Sequence, residues 1–204
     1  KALEIIKKKK CLGLINGPIS KKTFLRGKYN GITEYLAKRT GVSDPVMLIY
    51  NKKLSVSPLT THIPISKVSK QVNKRDIINK IKRINYFYKI FLKKKPKFAI
   101  TGLNPHCESF QKVNEEKKEI IPAIKHLKKN KINIKGPYPS DTIFLKENRK
   151  KYNVILGMYH DQVLGPMKTI YGFDAINITI GLPFLRITPD HGPNYKMYKL
   201  KKSK

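Results

Sequence analysis

Short apolar runs alternate along this chain with stretches of helical periodicity, and this alternation constrains the fold more than any other feature. The strand-like segments are CLGLING (11–17), PVMLIYN (45–51), LSVSPLTTHIPI (54–65), KFAITGLNPH (97–106), INIKGPYPSDTIF (132–144), VILGMY (154–159) and AINITIGLPFLRITPDHG (175–192). Because helical patterns lie between many of these segments, the sequence predicts an α/β fold with at least some parallel strand pairing.

Three helices are predicted between the strand-like segments. The clearest helix is predicted over 75–93, where apolar residues recur every three or four positions and leave a basic opposite face. A second helix is predicted over 115–130, with acidic residues in its first turn and lysines in its last, matching the helix dipole. A short helix over 33–40 is predicted to end at Gly41.

The composition of the chain limits its class. A hydrophobic fraction of 40% over 204 residues, with 11 Tyr and 8 Phe, is that of a globular protein. No run approaches the length of a membrane span, no signal peptide is visible, and two cysteines make no disulfide framework. The sequence therefore predicts a cytoplasmic protein that does not bind a membrane.

The formal net charge of +31 suggests nucleic-acid binding, but its distribution argues against a specific role. The lysines are spread along the whole chain together with abundant Ile, Asn and Tyr, a pattern that an AT-rich coding sequence produces. We therefore expect no specific nucleic-acid partner, although nonspecific adhesion at low salt is expected.

Three of the five histidines share one context. His62, His106 and His160 each follow a strand-like run, in the segments TTHIP, NPHCE and MYHDQ. Loops at strand ends are where α/β proteins build their sites, and three imidazoles with an open position are a catalytic metal arrangement. Their spacing matches no local metal motif, so spacing alone leaves three unrelated loop histidines as the alternative.

The other two histidines are weaker candidates. His126 lies at the lysine-rich end of a predicted helix, and His191 is either a turn residue or the edge of a site.

Polar residues in apolar surroundings are the other candidates. Asn177 and Arg186 each interrupt an apolar strand, and with Lys168 they could hold an anion, because a buried polar group requires a partner. Asp141 and Asp161 follow strands and are candidate proton acceptors, although Asp141 could instead cap a helix. The usual Rossmann fingerprint is absent from the sequence.

An ordered series of motifs resembles the 4-hydroxythreonine-4-phosphate dehydrogenase family of vitamin B6 (pyridoxal phosphate) biosynthesis. The motifs are INGPISKK (15–22), GITEYLAKRT (31–40), TTHIPI (60–65), GLNPHCE (102–108), GPYPSDTIF (136–144), YHDQ (159–162) with Lys168, and NITIGLPFLRITPDHG (177–192). The resemblance implies oxidation of 4-phosphooxy-L-threonine by NAD or NADP, with decarboxylation to 3-amino-2-oxopropyl phosphate. It also implies the two-domain α/β fold of isocitrate and isopropylmalate dehydrogenases, in a homodimer with active sites at the subunit interface.

The resemblance assigns roles to individual residues. It implies that His62, His106 and His160 bind a divalent metal, namely Zn, Mg or Co. It implies that Asp141 and Asp161 form the acidic catalytic pair. The substrate-binding residues of the family fall on Thr33, Lys168, Asn177 and Arg186.

The chain also departs from the family pattern. Ile32 stands where many members have a histidine, which keeps a sister dehydrogenase of a four-carbon sugar-acid phosphate, such as phosphothreonate or phosphoerythronate, as an alternative. The resemblance implies that residues 1–204 are the central and C-terminal part of the fold and that its N-terminal third is absent. A non-catalytic fragment is therefore a further alternative.

Overall fold

The structure is a computed structural model that describes residues 2–8, 11–19, 25, 28, 29, 31–108 and 114–192. The strands are β1 (Gly13–Ile15), β2 (Val46–Tyr50), β3 (Ser55–Thr60), β4 (Phe98–Thr101), β5 (Ile134–Tyr138), β6 (Val154–Tyr159), β7 (Ile176–Ile180) and β8 (Leu185–Pro189). The α-helices are α1 (Ala2–Lys7), α2 (Ile32–Thr40), α3 (Val68–Gln71), α4 (Lys74–Phe91), α5 (Ile121–Lys129), α6 (Ser140–Ile143), α7 (Lys146–Arg149) and α8 (His160–Tyr171). A π-helical turn over Glu116–Ile120 leads into α5, and 3₁₀ turns cover Ile65–Lys67 and Pro105–Cys107.

The strands form one eight-stranded sheet in the order β1-β8-β7-β2-β3-β6-β4-β5. The neighbours β3, β6, β4 and β5 are all parallel, whereas β2 pairs antiparallel with both β3 and β7. The predicted α/β class with parallel pairing is confirmed. The helix predicted over 75–93 is α4, and the helix predicted over 115–130 is the π-helical turn followed by α5.

Side chains that alternate along the strands form two separate apolar layers. On β2, Val46 and Leu48 pack with α4 and α5 on one face of the sheet. Met47 and Ile49 belong to the opposite face, where residues of α8 cover them in part. This second face continues across β7 and β8, and it forms the floor of the cavity described below.

Close contact between α8 and β6 requires a residue without a side chain. A Cβ atom on Gly157 would lie 2.4 Å from Cγ1 of Val163 and 3.0 Å from Oε1 of Gln162. Glycine at this position therefore lets the first turn of α8, which begins at His160, pack directly on the strand that precedes it.

A buried lysine fills the place where β2 and β3 separate. The Nζ atom of Lys80, on α4, donates hydrogen bonds to the carbonyl oxygens of Pro58 (3.0 Å) and Leu59 (2.9 Å). The residue is 5% exposed, and burial lowers the pKa of its ammonium group from 10.5 to about 8. The unfolded chain therefore binds more protons than the folded chain between these two pH values.

This difference gives an expected pH dependence of stability. Because the folded pKa of Lys80 lies below the unfolded pKa, its protonation opposes folding at low pH and ceases to do so as pH rises. Between pH 8 and 10, Lys80 should raise the free energy of unfolding by about 2 kcal/mol. Urea unfolding at pH 8 and pH 10 gives the change in the free energy of unfolding between the two pH values, for the wild type and for Lys80→Met. The change should be larger in the wild type by this increment. Equal changes in the two proteins would show that Lys80 does not titrate in this window.

Candidate active site

Four neighbouring parallel strands end at one edge of the sheet, and each is followed by a residue of the predicted site. His62 follows β3, His160 follows β6, His106 follows β4, and Asp141 lies in α6 directly after β5. The carboxyl edge of a parallel sheet is where α/β proteins bind ligands. The topology therefore arranges these four residues in a row along that edge.

Two of the three histidines lie side by side. The ring centroids of His62 and His160 are 6.1 Å apart. Nδ1 of His62 lies 2.9 Å from Oε1 of Glu34, and Nδ1 of His160 lies 2.6 Å from Oδ1 of Asp161. A metal-binding imidazole commonly donates its second N–H to a carboxylate, which leaves Nε2 for the ion. The donor chemistry of this pair therefore fits a divalent cation such as Zn²⁺.

The other two residues of the row lie outside the cavity that His62 and His160 line. His106 is exposed in the 3₁₀ turn after β4, and Asp141 is exposed in the first turn of α6 rather than at a cap position. Within the part of the chain that the structure describes, no group of three or more His, Cys, Asp or Glu side chains could hold a metal ion. One chain thus brings together two of the three predicted metal ligands.

A cavity of about 650 Å³ opens beside the histidine pair. Its floor is the face of β2, β7 and β8 that carries Met47, Ile49, Asn177, Arg186 and Thr188. Its rim includes the residues just after β1, the start of α2, and the segment from Pro189 to Gly192. A site of this size with a few polar groups can hold a small-molecule ligand.

Arg186 is a buried cation on the floor of this cavity. It is 2% exposed, and its guanidinium donates to three neutral oxygen atoms: Oδ1 of Asn16 (3.1 Å), Oγ1 of Thr33 (3.0 Å) and Oγ1 of Thr179 (2.9 Å). Burial lowers the pKa of Arg186 to about 10, although the charge of Glu34 acts in the opposite direction. A buried positive charge held by neutral acceptors is poised to bind an anion.

Asn177 lines the cavity, whereas Lys168 does not line it and is linked to it through Asp190 at the rim. Nζ of Lys168 donates to the carbonyl oxygen of Asp190 (2.8 Å), forms an ion pair with its carboxylate, and lies 4.7 Å from the centroid of the Phe173 ring. Oδ1 of Asn177 is buried and has no hydrogen-bond partner among the described residues, and the same is true of Oδ2 of Asp190. An unpartnered buried acceptor beside a cavity indicates a position that a ligand donor can fill.

Comparison with known proteins identifies the family of the chain. The family model described as "Pyridoxal phosphate biosynthetic protein PdxA" matches residues 1–203. The chain belongs to the PdxA family. A 4-hydroxythreonine-4-phosphate dehydrogenase of Sulfurihydrogenibium sp. (strain YO3AOP1) is 43% identical over 199 residues, which are 95% of this chain and 61% of that protein. One of Aquifex aeolicus (strain VF5) is 40% identical over 186 residues, covering 90% of this chain and 58% of that protein.

Solved PdxA-family structures agree with the fold. The 4-hydroxythreonine-4-phosphate dehydrogenase of Klebsiella pneumoniae superposes with a TM-score of 0.82 at 30% identity, covering all of this chain and 63% of that one. The enzyme of Burkholderia phymatum gives a TM-score of 0.77 at 31% identity with the same coverage. This chain therefore spans about three fifths of the length of these relatives.

Several residues of the candidate site in this PdxA-family chain could not be predicted from the sequence. Glu34 and Asp190 contact His62 and Lys168 respectively, and Asn16 contacts Arg186. Acidic residues number only 13 in the sequence, so the scarcity of carboxylates was one available signal for Glu34 and Asp190. Asn16 offered none, because its partner lies 170 positions away.

Gln162 links the segments that carry His160 and His106. Its Oε1 accepts from Oγ1 of Thr101 (2.9 Å) and from the amide of Met158 (2.7 Å), and its Nε2 donates to the carbonyl oxygen of Gly102 (2.8 Å). It is 7% exposed. The residue therefore ties the start of α8, which carries His160, to the segment that leads from β4 to His106.

Proposed function

We propose that this chain takes part in oxidising 4-phosphooxy-L-threonine with NAD⁺ or NADP⁺, with decarboxylation to 3-amino-2-oxopropyl phosphate, in pyridoxal phosphate biosynthesis. The observation that carries the proposal is the buried Arg186 on the floor of a cavity whose rim holds the His62 and His160 pair. The names of the PdxA-family relatives support the same reaction. The cytoplasm remains the predicted location.

Arg186, on the floor of the cavity, is the cation placed to bind a substrate phosphate or carboxylate, and the fixed geometry of its guanidinium favours two parallel hydrogen bonds to oxygen. Lys168 lies behind the rim, paired with Asp190, and would add positive charge near the bound anion. Thr33 lies at the start of α2, whose N-terminus also favours an anion, and its hydroxyl already accepts a bond from Arg186. Asn177 offers its free Oδ1 to a substrate donor such as the ammonium or hydroxyl group.

His62 and His160 would hold a divalent metal through Nε2, with His106 as the third ligand of the set. When bound, such an ion lowers the energy of a developing alkoxide or enolate. The residues of the chain supply the orientation of the ligands, because Glu34 and Asp161 fix the two imidazoles through Nδ1. Zn²⁺, Mg²⁺ and Co²⁺ are the candidates, and the imidazole donors favour Zn²⁺ or Co²⁺ over Mg²⁺.

Proton transfer is the proposed role of the acidic residues. Asp161 and Asp141 are the candidate acceptors for the substrate hydroxyl proton, and a nicotinamide cofactor, when bound, would supply the hydride acceptor. The contact of Asp161 with Nδ1 of His160 gives it a second role, which is to hold that ring in place. Asp141 lies in α6, beyond the cavity of its own chain.

A second copy of the chain would complete the site. His106 and Asp141 do not line the cavity, and the described residues of one chain form no group of three metal ligands. A homodimer with a two-fold axis near the sheet edge would bring His106 of one copy to the cavity of the other. Each dimer would then contain two equivalent sites.

NADH formation tests the proposed substrate. The chain should reduce NAD⁺ or NADP⁺ with 4-phosphooxy-L-threonine and release carbon dioxide, and removing the phosphate from the substrate should abolish the reaction at equal concentration. The matched alternative substrate is 4-phospho-D-erythronate, which tests the sister activity. Preference for the sugar-acid phosphate would overturn the proposed substrate, and no reduction with either would indicate a non-catalytic fragment.

A further inference from the structure

The segment that carries His106 has an unusual backbone. His106 has φ 55° and ψ 13°, and the next residue, Cys107, has φ 60°. Both values lie in the left-handed region, which side chains other than glycine rarely adopt. Two such residues in succession persist only where the surrounding structure holds them, and such strain is concentrated at functional sites.

A buried carboxylate provides that restraint. Glu116, in the π-helical turn before α5, is 1% exposed. Its Oε1 accepts from the amides of Leu103 (2.8 Å) and Asn104 (2.8 Å), and its Oε2 accepts from Nδ2 of Asn104 (2.9 Å). Bonds between a carboxylate and amide donors are stronger than neutral ones, and this carboxylate is shielded from water.

The position of these bonds matters more than their number. They fix the two residues that come directly before Pro105 and His106, while Gln162 fixes the carbonyl of Gly102 from the other side. The backbone leading to His106 is therefore restrained from both sides of the sheet edge. Among the described residues, no side-chain contact of His106 orients its imidazole. The direction of the ring therefore depends on the backbone that carries it.

We propose that Glu116 is a positioning residue that holds the left-handed turn at His106 and thereby directs its imidazole to the metal. This inference rests on the proposed function, because it takes His106 as a ligand. Glu116 does not touch the substrate, the cofactor or the ion. Its effect is transmitted through the amides of Leu103 and Asn104.

Zn²⁺ affinity of the full chain, measured by competition with a fluorescent chelator, tests the proposal. Glu116→Leu should weaken Zn²⁺ binding about 10- to 100-fold, the range expected when a residue that orients a ligand is lost. Glu116→Gln retains an oxygen for the two amides and should recover most of the affinity. In a His106→Ala background, Glu116→Leu should cause no further loss, because its effect passes through His106.

The matched control is Glu119→Leu. Glu119 lies in the same π-helical turn and also accepts from a backbone amide, that of Lys74 (2.7 Å), but its hydrogen bond stabilises the start of α4. The Glu119→Leu substitution should lower the free energy of unfolding in urea and leave the Zn²⁺ affinity unchanged. Loss of stability without loss of Zn²⁺ affinity in Glu116→Leu would overturn the positioning role. Unchanged Zn²⁺ affinity in His106→Ala would instead overturn the proposed metal site.

Discussion

Replacing His160 with alanine should lower the rate of NADH formation from 4-phosphooxy-L-threonine on the order of 10²- to 10³-fold. The reason is that the metal ion, which would stabilise the charge that develops on the substrate oxygen, loses a ligand. The ring centroids of His160 and His62 are 6.1 Å apart, and Asp161 holds the His160 ring through Nδ1. Initial rates at saturating substrate measure the effect.

His126→Ala is the matched control for this variant. His126 is half-buried in the last turn of α5 and does not line the cavity, so its loss should leave the rate within about twofold. A His160→Ala protein that is as active as the wild type would remove this residue from the site.

Mixing inactive variants tests whether the site is shared between copies. His106→Ala and His160→Ala, unfolded together and refolded, should recover about a quarter of the wild-type activity, since half of the dimers formed at random are mixed and each contains one intact site. A mixture of His62→Ala and His160→Ala should stay inactive, because both residues belong to one cavity. No recovery in the first mixture would place all three histidines in a site within one chain.

Replacing Arg186 with methionine should raise the KM for the phosphorylated substrate by about 30-fold or more, since truncating one partner of a buried charge interaction costs 2–5 kcal/mol. The free energy of unfolding should change little or increase. Burial lowers the pKa of Arg186 to about 10, so the charged group opposes folding at every pH below that value. Function and stability should therefore change in opposite directions.

The control for Arg186 is Arg149→Met, which removes a guanidinium that donates to the carbonyl oxygen of Phe144 (2.7 Å) away from the cavity. Steady-state kinetics and urea unfolding of both variants provide the comparison. An unchanged KM together with a large loss of stability in Arg186→Met would assign this arginine to the fold alone.

The strands, and the candidate residues at their ends, could be predicted from the sequence because apolar runs and their ends are local signals. The spatial arrangement of these residues could not. That His62 lies beside His160, and His106 farther along, depends on the strand order β3-β6-β4, which crossover connections determine and local patterns do not.

The supporting residues were missed for a similar reason. Glu34 contacts a histidine 28 positions away, and Glu116 binds a loop through two backbone amides. Such contacts have no signature in periodicity, and the scarcity of carboxylates in the composition does not indicate their partners. Partners for Arg186 could be expected from the sequence, because a charge inside an apolar strand requires a partner wherever that partner lies, and the structure shows three.

The most direct measurement is NADH formation by the EDTA-treated chain, with 4-phosphooxy-L-threonine and NAD⁺, before and after Zn²⁺ is returned. We expect no NADH from the treated chain and recovery of the reaction when Zn²⁺ is added, with Co²⁺ as a second metal that restores activity. An undiminished rate in EDTA would contradict a metal-bound dehydrogenase site, and no NADH in either condition would contradict the proposed activity of this chain.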